Sequence, residues 1–567
     1  MRYLLSKNKK IMKNKTIAII ISMALCFAAL VGCGAPADEY DILFANGIKS
    51  VYSVVTSTSN YRLAEKFVED FQSEHGILLG LKYDRSAEGE KEIVFGKTTR
   101  EPISNTLYQG YDIKTVSGKI YMEGTDSNEL AAAGKRFIEV FNSIAENDGE
   151  KVMIKNNLNI TGSTDEMMAE LPFYAEGKVF DIGNASKSVC ITDVSINDYD
   201  SYCALIEGKG YEKYAENTIG ENRYATYTSD SNTVNVKYIS NPTSRTTLLI
   251  AIEKKGALPD KPGNYERVAE TQLTQVSLIH ESNMDGMSYL YRLADGRFVV
   301  IDGGFHEANG KQAAHFYDLI TEQNVNGSKP VIALWIITHP HEDHIGMFTD
   351  FIARYSMSVE IQKVAMDISA DEYLEKGDAA YLLSDNELGS LPRMRENMEK
   401  YIPDTPVLKL HGGQKITIAD AEIEILYTLS DMLPDTTAGM ELNATSVIFT
   451  VTVQNNKTIF LGDAMPPECN SLVYMFGDYL KSDMMQLAHH GYNGATTQIY
   501  QVINPAVGLW PSNPVAIPGN SNFEYNKWLI ENDSCMELLV SGYYEFTLKL
   551  PYTPSNTDIG NKFVNRP

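Results

Sequence analysis

The chain has 567 residues, of which 43% are hydrophobic and 22% charged, an ordinary balance for a protein with a substantial core. Such a length predicts about three domains. Acidic residues outnumber basic ones by 74 to 49, so tight nucleic-acid binding through general electrostatic attraction is not expected. An anionic substrate remains compatible with this charge if bound metal ions dominate the local field of a site.

The first 33 residues read as an export signal. A basic stretch over 1–15 precedes an apolar stretch over 16–31, and Gly32 and Cys33 follow. Such a pattern is typical of a secretory signal peptide. The ending Leu-Val-Gly-Cys resembles a bacterial lipobox, which implies cleavage before Cys33, a lipid on its thiol and a location on the extracellular face of the cytoplasmic membrane. An uncleaved membrane helix is the weaker alternative, because a span needs about 20 apolar residues.

Two small α+β domains, 34–165 and 166–270, are predicted next. The first contains strand patterns at 49–56 and 92–96, a hairpin over 111–124, and helical spacing at 61–71 and 128–144. The 92–96 strand, the hairpin and the following Ala-rich helix loosely resemble the non-catalytic domain before the barrel of α-glucuronidases and β-hexosaminidases, which implies a carbohydrate-rich setting. The second domain has a helix pattern at 199–209 and strand patterns at 188–192, 224–229, 233–239 and 246–252.

The six cysteines include no CxxC pair, so a structural zinc ribbon is not expected. Two interpretations of Cys190 and Cys203 stay open. They would form a disulfide in an oxidising compartment, or serve as small buried hydrophobic residues.

Residues 271–555 form the third predicted domain, of the α/β class. Strand patterns at 272–279, 288–292 and 298–301 precede a helical pattern at 311–320 and an almost wholly apolar strand at 331–337. An apolar strand flanked by helices indicates a sheet covered on both faces.

Four candidate metal ligands lie within six positions, directly after that apolar strand. They are His339, His341, Asp343 and His344 of the segment THPHEDHIG. A turn from strand to helix can direct such side chains toward two adjacent ions, and imidazole with carboxylate suits zinc, manganese or iron. The chain has ten histidines and three lie here, so chance clustering is a weak explanation.

This segment resembles the HxHxDH signature of the metallo-β-lactamase superfamily. Three further motifs occur in the order expected of that family: VVIDGG at 299–304, IFLGDA at 459–464 and MMQLAHHG at 484–491. The resemblance covers about 270–550. It implies an αββα sandwich and a hydrolase that uses two divalent metal ions, with zinc as the first choice and manganese or iron as alternatives.

The resemblance also implies a role for each motif. Asp463 would bridge the two ions, and Asp302 would orient the histidine turn without binding metal. One of His489 and His490 would complete the second site, and the other would contact substrate or donate a proton. The implied set for metal 1 is His339, His341 and Asp463; that for metal 2 is Asp343, His344, Asp463 and one of the paired histidines.

One departure from the family pattern concerns a further histidine that many members carry before the Gly-Asp motif. Only His411 lies between His344 and Asp463, in a strand-turn-strand pattern that fits a structural role. Asn443 is nearest the expected place and would fill the gap or contact substrate. The Asn…Ser-Val, GDA and HHG series resembles the extracellular hydrolase domain of the bacterial DNA-uptake competence channel and the phosphorylcholine esterases of wall teichoic acid.

These features favour a cell-surface phosphodiesterase that acts on nucleic acid or a cell-wall polymer and contacts the membrane through the lipid on Cys33. One alternative is a lactone, thioester or β-lactam hydrolase of the same fold, against which the missing histidine counts. Another is a non-enzymatic, glycan-associated surface binding protein with a degenerate metal domain. The near-complete ligand set counts against this second alternative.

Overall fold

The computed structural model describes residues 40–100, 110–172, 178–181, 186–240, 246–278, 286–368, 391–431, 442–555 and 561–564. The predicted signal peptide and the lipidation site at Cys33 lie outside the described residues. The chain divides into two compact units, Met1–Asp165 and Glu166–Pro567. Among the described residues, none of the helices has the length and apolar character needed to cross a bilayer.

The first unit is a nine-stranded mixed sheet in the order β7-β8-β1-β2-β4-β6-β5-β9, with β3 paired to β2. Its strands are β1 Tyr40–Asn46, β2 Lys49–Thr56, β3 Leu78–Tyr83, β4 Glu92–Phe95, β5 Tyr111–Val116, β6 Lys119–Gly124, β7 Ala145–Asp148, β8 Lys151–Lys155 and β9 Asn159–Gly162. Helices α1 (Tyr61–His75) and α2 (Ser127–Ile144) contribute apolar side chains to its core. Asp126 caps α2 by accepting hydrogen bonds from the backbone of Asn128 and Glu129.

The second unit begins with α3 (Glu166–Ala169), α4 (Ile196–Gly208) and an antiparallel six-stranded sheet in the order β10-β11-β15-β14-β13-β12. Its strands are β10 Lys178–Asp181, β11 Ser186–Thr192, β12 Glu212–Ile219, β13 Asn222–Thr228, β14 Asn232–Ile239 and β15 Thr247–Lys254. Strand β12 was not among the sequence expectations, because its residues EKYAENTI include few large apolar side chains.

Two larger sheets follow. The eight-stranded one contains β16 Gln272–Gln275, β17 Tyr289–Arg292, β18 Phe298–Ile301, β19 Val331–Ile336, β20 Glu360–Ile361, β21 Val364–Met366, β22 Val407–Lys409 and β30 Phe546–Lys549. The seven-stranded one contains β23 Lys415–Ile418, β24 Ala421–Tyr427, β25 Ile448–Val453, β26 Asn456–Phe460, β27 Met484–Gln486, β28 Val507–Trp510 and β29 Glu537–Val540. The helices of this region are α5 Lys311–Gln323, α6 Glu342–Tyr355, α7 Leu391–Tyr401, α8 Pro466–Phe476, α9 Thr497–Ile503, α10 Ile517–Asn520 and α11 Glu524–Glu531.

These two sheets pack face to face, with helices on both outer faces. The core between them joins Ile301 and Ile336 of one sheet to Phe449 and Leu509 of the other. A second core packs α5 and α6 on the eight-stranded sheet, and a third packs α8, α9 and α11 on the seven-stranded sheet. This is the predicted α/β class with a C-terminal αββα sandwich.

A buried ionic network joins the six-stranded sheet to the sandwich. Lys237 of β14 forms an ion pair with Asp431, and His411 Nδ1 lies 2.9 Å from Asp431 Oδ1. His411 Nε2 lies 3.3 Å from Glu253 Oε1 of β15. Lys237, His411 and Asp431 are each less than a tenth exposed, so each charge depends on its partners.

The partners shift the pKa values of this network in opposite directions. Burial alone would raise the pKa of Asp431, but Lys237 and His411 outweigh it and hold the pKa well below its usual range. Burial alone would lower the pKa of His411, but Asp431 and Glu253 raise it. Asp431 contributes to the free energy of unfolding above its unfolded pKa of about 3.9, and this contribution is lost as the pH falls. His411 contributes fully below its unfolded pKa of about 6.5, and its contribution is lost as the pH rises through its folded pKa. The combined contribution of Asp431 and His411 is therefore largest between about pH 4 and 6.5. Burial lowers the pKa of Lys237 despite its partners, so this lysine depends on Asp431 to remain charged.

Replacing Asp431 by Asn should lower the free energy of unfolding by about 3–5 kcal/mol near pH 5.5, because Lys237 keeps a buried charge without its partner. The loss should be smaller at pH 8, where the His411 contribution has declined. Urea unfolding at both pH values measures the difference. Glu531→Gln is the matched control, since the Lys527–Glu531 pair is exposed and should change stability by less than about 0.5 kcal/mol. Equal urea midpoints for Asp431→Asn and the wild type would contradict the role given to this network.

Candidate metal centre

Asp302 connects the end of β18 to the histidine turn that follows β19. Its Oδ1 accepts a hydrogen bond from the backbone N–H of Thr338 at 2.7 Å, and its Oδ2 accepts one from Thr338 Oγ1 at 2.7 Å. The same Oδ2 lies 2.8 Å from His344 Nδ1. The buried carboxylate thus orients a candidate ligand without joining either ligand group, the position that the family resemblance implies for it.

One group of ligand atoms contains Asp343, His344, Asp463 and His490, all within 4.8 Å of one another. The Nε2 atoms of His344 and His490 are 3.2 Å apart. Asp343 Oδ2 lies 3.1 Å from His490 Nε2, and Asp463 Oδ1 lies 3.3 Å from His344 Nε2. This is the set proposed for metal 2.

The other group contains His339, His341 and Asp463. His339 Nε2 lies 2.9 Å from His341 Nδ1 and 3.7 Å from Asp463 Oδ2. Asp463 therefore belongs to both groups, with Oδ1 nearest His344 and Oδ2 nearest His339. The structure places this carboxylate where a bridging ligand would stand.

Hydrogen bonds on the outer ring nitrogens indicate which nitrogen faces the centre. His344 Nδ1 bonds Asp302, His490 Nδ1 bonds the Pro511 carbonyl at 2.7 Å, and His339 Nδ1 lies 3.1 Å from Thr338 Oγ1. With protons kept on those outer nitrogens, the inner nitrogens are the ones that would present lone pairs to bound ions. Asp463 Oδ1 is also buried without a hydrogen-bond donor among the described residues. Facing lone pairs and buried carboxylates are the donor set of a cation site, so these residues fit two divalent ions.

Electrostatic coupling within the cluster shifts its pKa values strongly. Burial alone would lower the pKa of His490, but Asp463 and Asp343 raise it to about 9. Burial and the neighbouring His344 hold the pKa of His339 well below its usual range. Burial would raise the pKa of Asp463, but His344, His490 and His339 lower it. The carboxylates are therefore ionised at neutral pH, and a metal ion would displace protons from the raised histidines.

The turn after β27 separates the two adjacent histidines. His489 and His490 both adopt left-handed backbone conformations, with φ of 50° and 53°. His490 is nearly fully buried within the first ligand group. The His489 side chain is 26% exposed, its Nδ1 bonds the Asn493 carbonyl at 2.8 Å, and its Nε2 lies 4.0 Å from Asp463 Oδ2. In the structure His490 lies within the group that contains Asp343 and His344, and His489 lies at its edge. This position favours His490 as the ligand of metal 2, and the assignment stays a prediction.

Asn443 lies in the 3₁₀ turn Leu442–Thr445 and belongs to neither ligand group. Its buried Oδ1 has no hydrogen-bond partner among the described residues, and its carbonyl accepts a hydrogen bond from Ser446 N at 3.1 Å. The predicted role of Asn443, to replace the missing histidine ligand or to contact substrate, stays a prediction. His411 also lies outside both groups, in the ionic network described above. Cys190 and Cys203 are buried and are not joined to each other in a disulfide.

Two hydroxyl side chains of the site were missed by the sequence reasoning. Ser446 Oγ accepts a hydrogen bond from the Asp463 backbone at 2.9 Å and lies 3.4 Å from His339 Nδ1. Thr338 bonds both Asp302 and His339. Both residues lie next to predicted ligands in the sequence motifs, Thr338 beside His339 and Ser446 shortly after Asn443. That position was the feature from which their contact with the site could have been predicted.

Residues 284–501 match the family model described as the metallo-beta-lactamase superfamily. The matched residues make up less than half of the chain and lie within its second unit, and we refer to them as the metallo-β-lactamase domain. No curated protein matches the chain in sequence.

Solved structures show only distant likeness to the chain. A variant of the CmlA β-hydroxylase is 14% identical with a TM-score of 0.29, and the match covers 50% of this chain and 55% of that one. Zinc-bound PqqB from Methylobacterium extorquens is 9% identical with a TM-score of 0.23, and the match covers 38% of this chain and 71% of that one. The short form of human tRNase Z is 11% identical with a TM-score of 0.23, and the match covers 42% of this chain and 92% of that one. The chain spans about half the length of the CmlA structure. TM-scores this low assign neither a metal nor a substrate to the metallo-β-lactamase domain.

Replacing Asp463 by Ala should abolish metal uptake by the metallo-β-lactamase domain, because both ligand groups lose an oxygen. Metal analysis after incubation with zinc and gel filtration measures the bound ions per chain. Asp478→Ala is the matched control, since that side chain is 88% exposed and belongs to neither ligand group. A wild-type zinc content in Asp463→Ala would contradict the bridging assignment.

His489→Ala and His490→Ala should differ in metal content, although the two residues are adjacent. Loss of His490 removes a ligand of the metal 2 group and should leave about one ion per chain, whereas loss of His489 should leave about two. The same metal analysis distinguishes them. The reverse order of metal loss would exchange the two assignments.

Proposed function

We propose that this protein is an exported metal-dependent hydrolase, anchored through a lipid on Cys33 to the extracellular face of the cytoplasmic membrane, that cleaves a phosphodiester in a cell-wall polymer or nucleic acid. The observation that carries the proposal is the pair of ligand groups that share Asp463. The carboxylate of Asp463 is about 1% exposed and faces imidazoles on both sides. Such an arrangement suits chemistry with two metal ions.

Two divalent ions, zinc first and manganese or iron as alternatives, would supply a hydroxide nucleophile and polarise the scissile group. His339, His341 and Asp463 would hold one ion, and Asp343, His344, Asp463 and His490 the other. Asp302 and the Pro511 carbonyl keep the inner nitrogens of His344 and His490 directed at the centre. These contacts fix the ligands before the metal arrives, which limits reorganisation during the reaction.

His489 is the residue best placed to serve the leaving group. Its Nδ1 donates a hydrogen bond to the Asn493 carbonyl, which leaves Nε2 as the ring nitrogen nearest the centre. That nitrogen lies beside Asp463 on a partly exposed side chain, which substrate can reach. We assign to His489 protonation of the leaving oxygen.

A phosphodiester substrate is supported by the subtype pattern of the site. Asn443, Ser446, the GDA segment and the HHG segment follow the order of the competence-channel and phosphorylcholine-esterase domains that the sequence resembles. No further histidine joins the metal 1 group among the described residues, and His411 is held in the ionic network. Because the chain is acidic overall, a basic surface that captures a polyanion is not expected. The affinity for a phosphodiester would therefore depend on the metal ions.

Hydrolysis of bis(p-nitrophenyl) phosphate, compared with a chromogenic β-lactam and a γ-lactone, tests this proposal. The zinc-loaded protein should cleave the phosphodiester, and chelation with EDTA should abolish the activity. His489→Ala should reduce turnover by about 10²–10⁴ while keeping its metal, because a proton donor is lost. Asp478→Ala should match the wild type.

Faster hydrolysis of the lactone or β-lactam than of the phosphodiester would contradict the proposed substrate class and favour the lactone or β-lactam hydrolase alternative. A protein that binds two ions yet cleaves none of the three compounds would support the non-enzymatic surface-protein alternative.

A further inference from the structure

Four neighbouring parallel strands end beside the metal centre. Strands β26, β27, β28 and β29 run parallel in that order. Asp463 follows β26, and the paired histidines follow β27. Adjacent strands are about 4.8 Å apart, so the turns after β28 and β29 lie within about 10 Å of the histidine turn along the same sheet edge.

Hydrogen bonds hold these turns together. The Pro511 carbonyl, directly after β28, bonds the metal-ligand candidate His490. The next turn is attached through Ser541 N to the Trp510 carbonyl and through Gly542 N to the Ser512 carbonyl, both at 3.1 Å. A Cβ on Gly542 would lie 2.5 Å from that Ser512 carbonyl, so the two turns are in close contact. The edge of the site is therefore a fixed surface.

Three exposed tyrosines lie in the turns that follow β27 and β29. Tyr492 is 39% exposed and its ring centroid lies 6.1 Å from that of His489. Tyr543 and Tyr544, directly after β29, are 39% and 37% exposed. The Tyr544 ring packs edge-on against Phe546, which limits its rotation. What distinguishes these three tyrosines from exposed ones elsewhere, such as Tyr474, is that their turns follow strands that end beside the candidate site. Partly exposed aromatic rings in that position suit a ligand contact.

The turns that build the site contain no lysine or arginine. This holds for 302–310, 337–346, 461–465, 487–495, 510–516 and 541–545. Proteins that stack nucleic-acid bases on aromatic rings combine the rings with a positively charged groove for the backbone. The tyrosines here have no such groove in their own turns. A neutral group attached to the scissile ester fits this surface better than a polyanion.

The polar groups of the same surface favour a neutral, hydroxyl-bearing group over an organic cation. Glu545 is the only acid in 541–545, and its Oε2 already lies 2.8 Å from His315 Nε2 and 3.4 Å from Ser277 N. It is therefore engaged and does not serve as a free counter-charge. Ser512 is about 1% exposed, and its Oγ has no hydrogen-bond partner among the described residues. A buried hydroxyl without a partner is costly, so Ser512 is an unsatisfied polar group in the turn after β28.

We propose that Tyr492, Tyr543 and Tyr544 form a platform for a neutral sugar ring joined to the phosphodiester that the metal centre cleaves. This inference rests on the proposed hydrolase function and names the substrate class of the same site. The apolar face of a pyranose ring would pack on the tyrosines, and its hydroxyl groups would be directed to the amides and hydroxyls of the turns after β27 and β28.

Four p-nitrophenyl phosphodiesters distinguish the alternatives, with the second ester group being methyl, glucose (through O6), thymidine (through O5′) or choline. The measurement is kcat/KM for the zinc-loaded full chain. The glucose ester should exceed the methyl ester by about tenfold, the gain expected from one ring stacked on the platform. The double variant Tyr543→Ala/Tyr544→Ala should bring the glucose-to-methyl ratio to about one, and Tyr543→Phe/Tyr544→Phe should retain most of it, because the ring face makes the contact.

Tyr474→Ala is the control for loss of an exposed tyrosine, since Tyr474 of α8 is 50% exposed and outside the platform. Its glucose-to-methyl ratio should equal that of the wild type, and metal analysis of each variant checks that the centre is intact. Cleavage of the methyl ester without a glucose preference would overturn the sugar platform and leave the hydrolase proposal standing. A preference for thymidine or choline would also overturn it. A metal-loaded protein that cleaves none of the four esters would overturn the phosphodiesterase itself, and the platform with it.

Discussion

The structure of the site depends on the carboxylate of Asp463, which is shared by two groups of imidazoles. One oxygen lies beside His344 and the other beside His339, with almost no access to water. A buried carboxylate of this kind is stable only next to positive charge. Without metal, protons on the histidines supply that charge, and the raised pKa of His490 shows the strength of the coupling. With metal, two cations would take the place of those protons.

The packing of the two sheets fixes the distances between the candidate ligands that share Asp463. The ligands come from the ends of β19, β26 and β27, which lie in two different sheets. Their separation is therefore set by how the sheets pack, through buried side chains such as Ile336 and Phe460. Close-packed interiors resist small displacements, so the core between the sheets fixes the distance between the histidine turn and Asp463. Backbone and hydroxyl groups of Pro511, Thr338 and Ser446 then set the orientation of the His490 and His339 rings.

Much of this centre was predictable because each motif follows an apolar strand. The run Val331–Ile336 and the strand before Gly462 are buried in the sandwich, so the polar residues after them had to meet at a sheet edge. The role of each paired histidine was not predictable. It depends on a carbonyl at Pro511, which is 21 positions away, and on left-handed backbone at both histidines. The ionic network around Lys237 was equally hidden, since a buried lysine leaves no periodic pattern.

The strained histidine turn explains how adjacent residues take different roles. A left-handed conformation costs a non-glycine residue about 1–2 kcal/mol, and two in succession persist only where surrounding contacts hold them. Trp510 Nε1 bonds the His490 carbonyl at 2.8 Å, and Asn526 Nδ2 bonds the Gly491 carbonyl at 2.7 Å. A Cβ at Gly491 would lie 2.2 Å from the Trp510 indole, so only glycine allows this packing. The helix layer behind β27 and β28 thus stabilises a turn that places the His490 imidazole among the candidate ligands and leaves the His489 side chain partly exposed at the edge of the site.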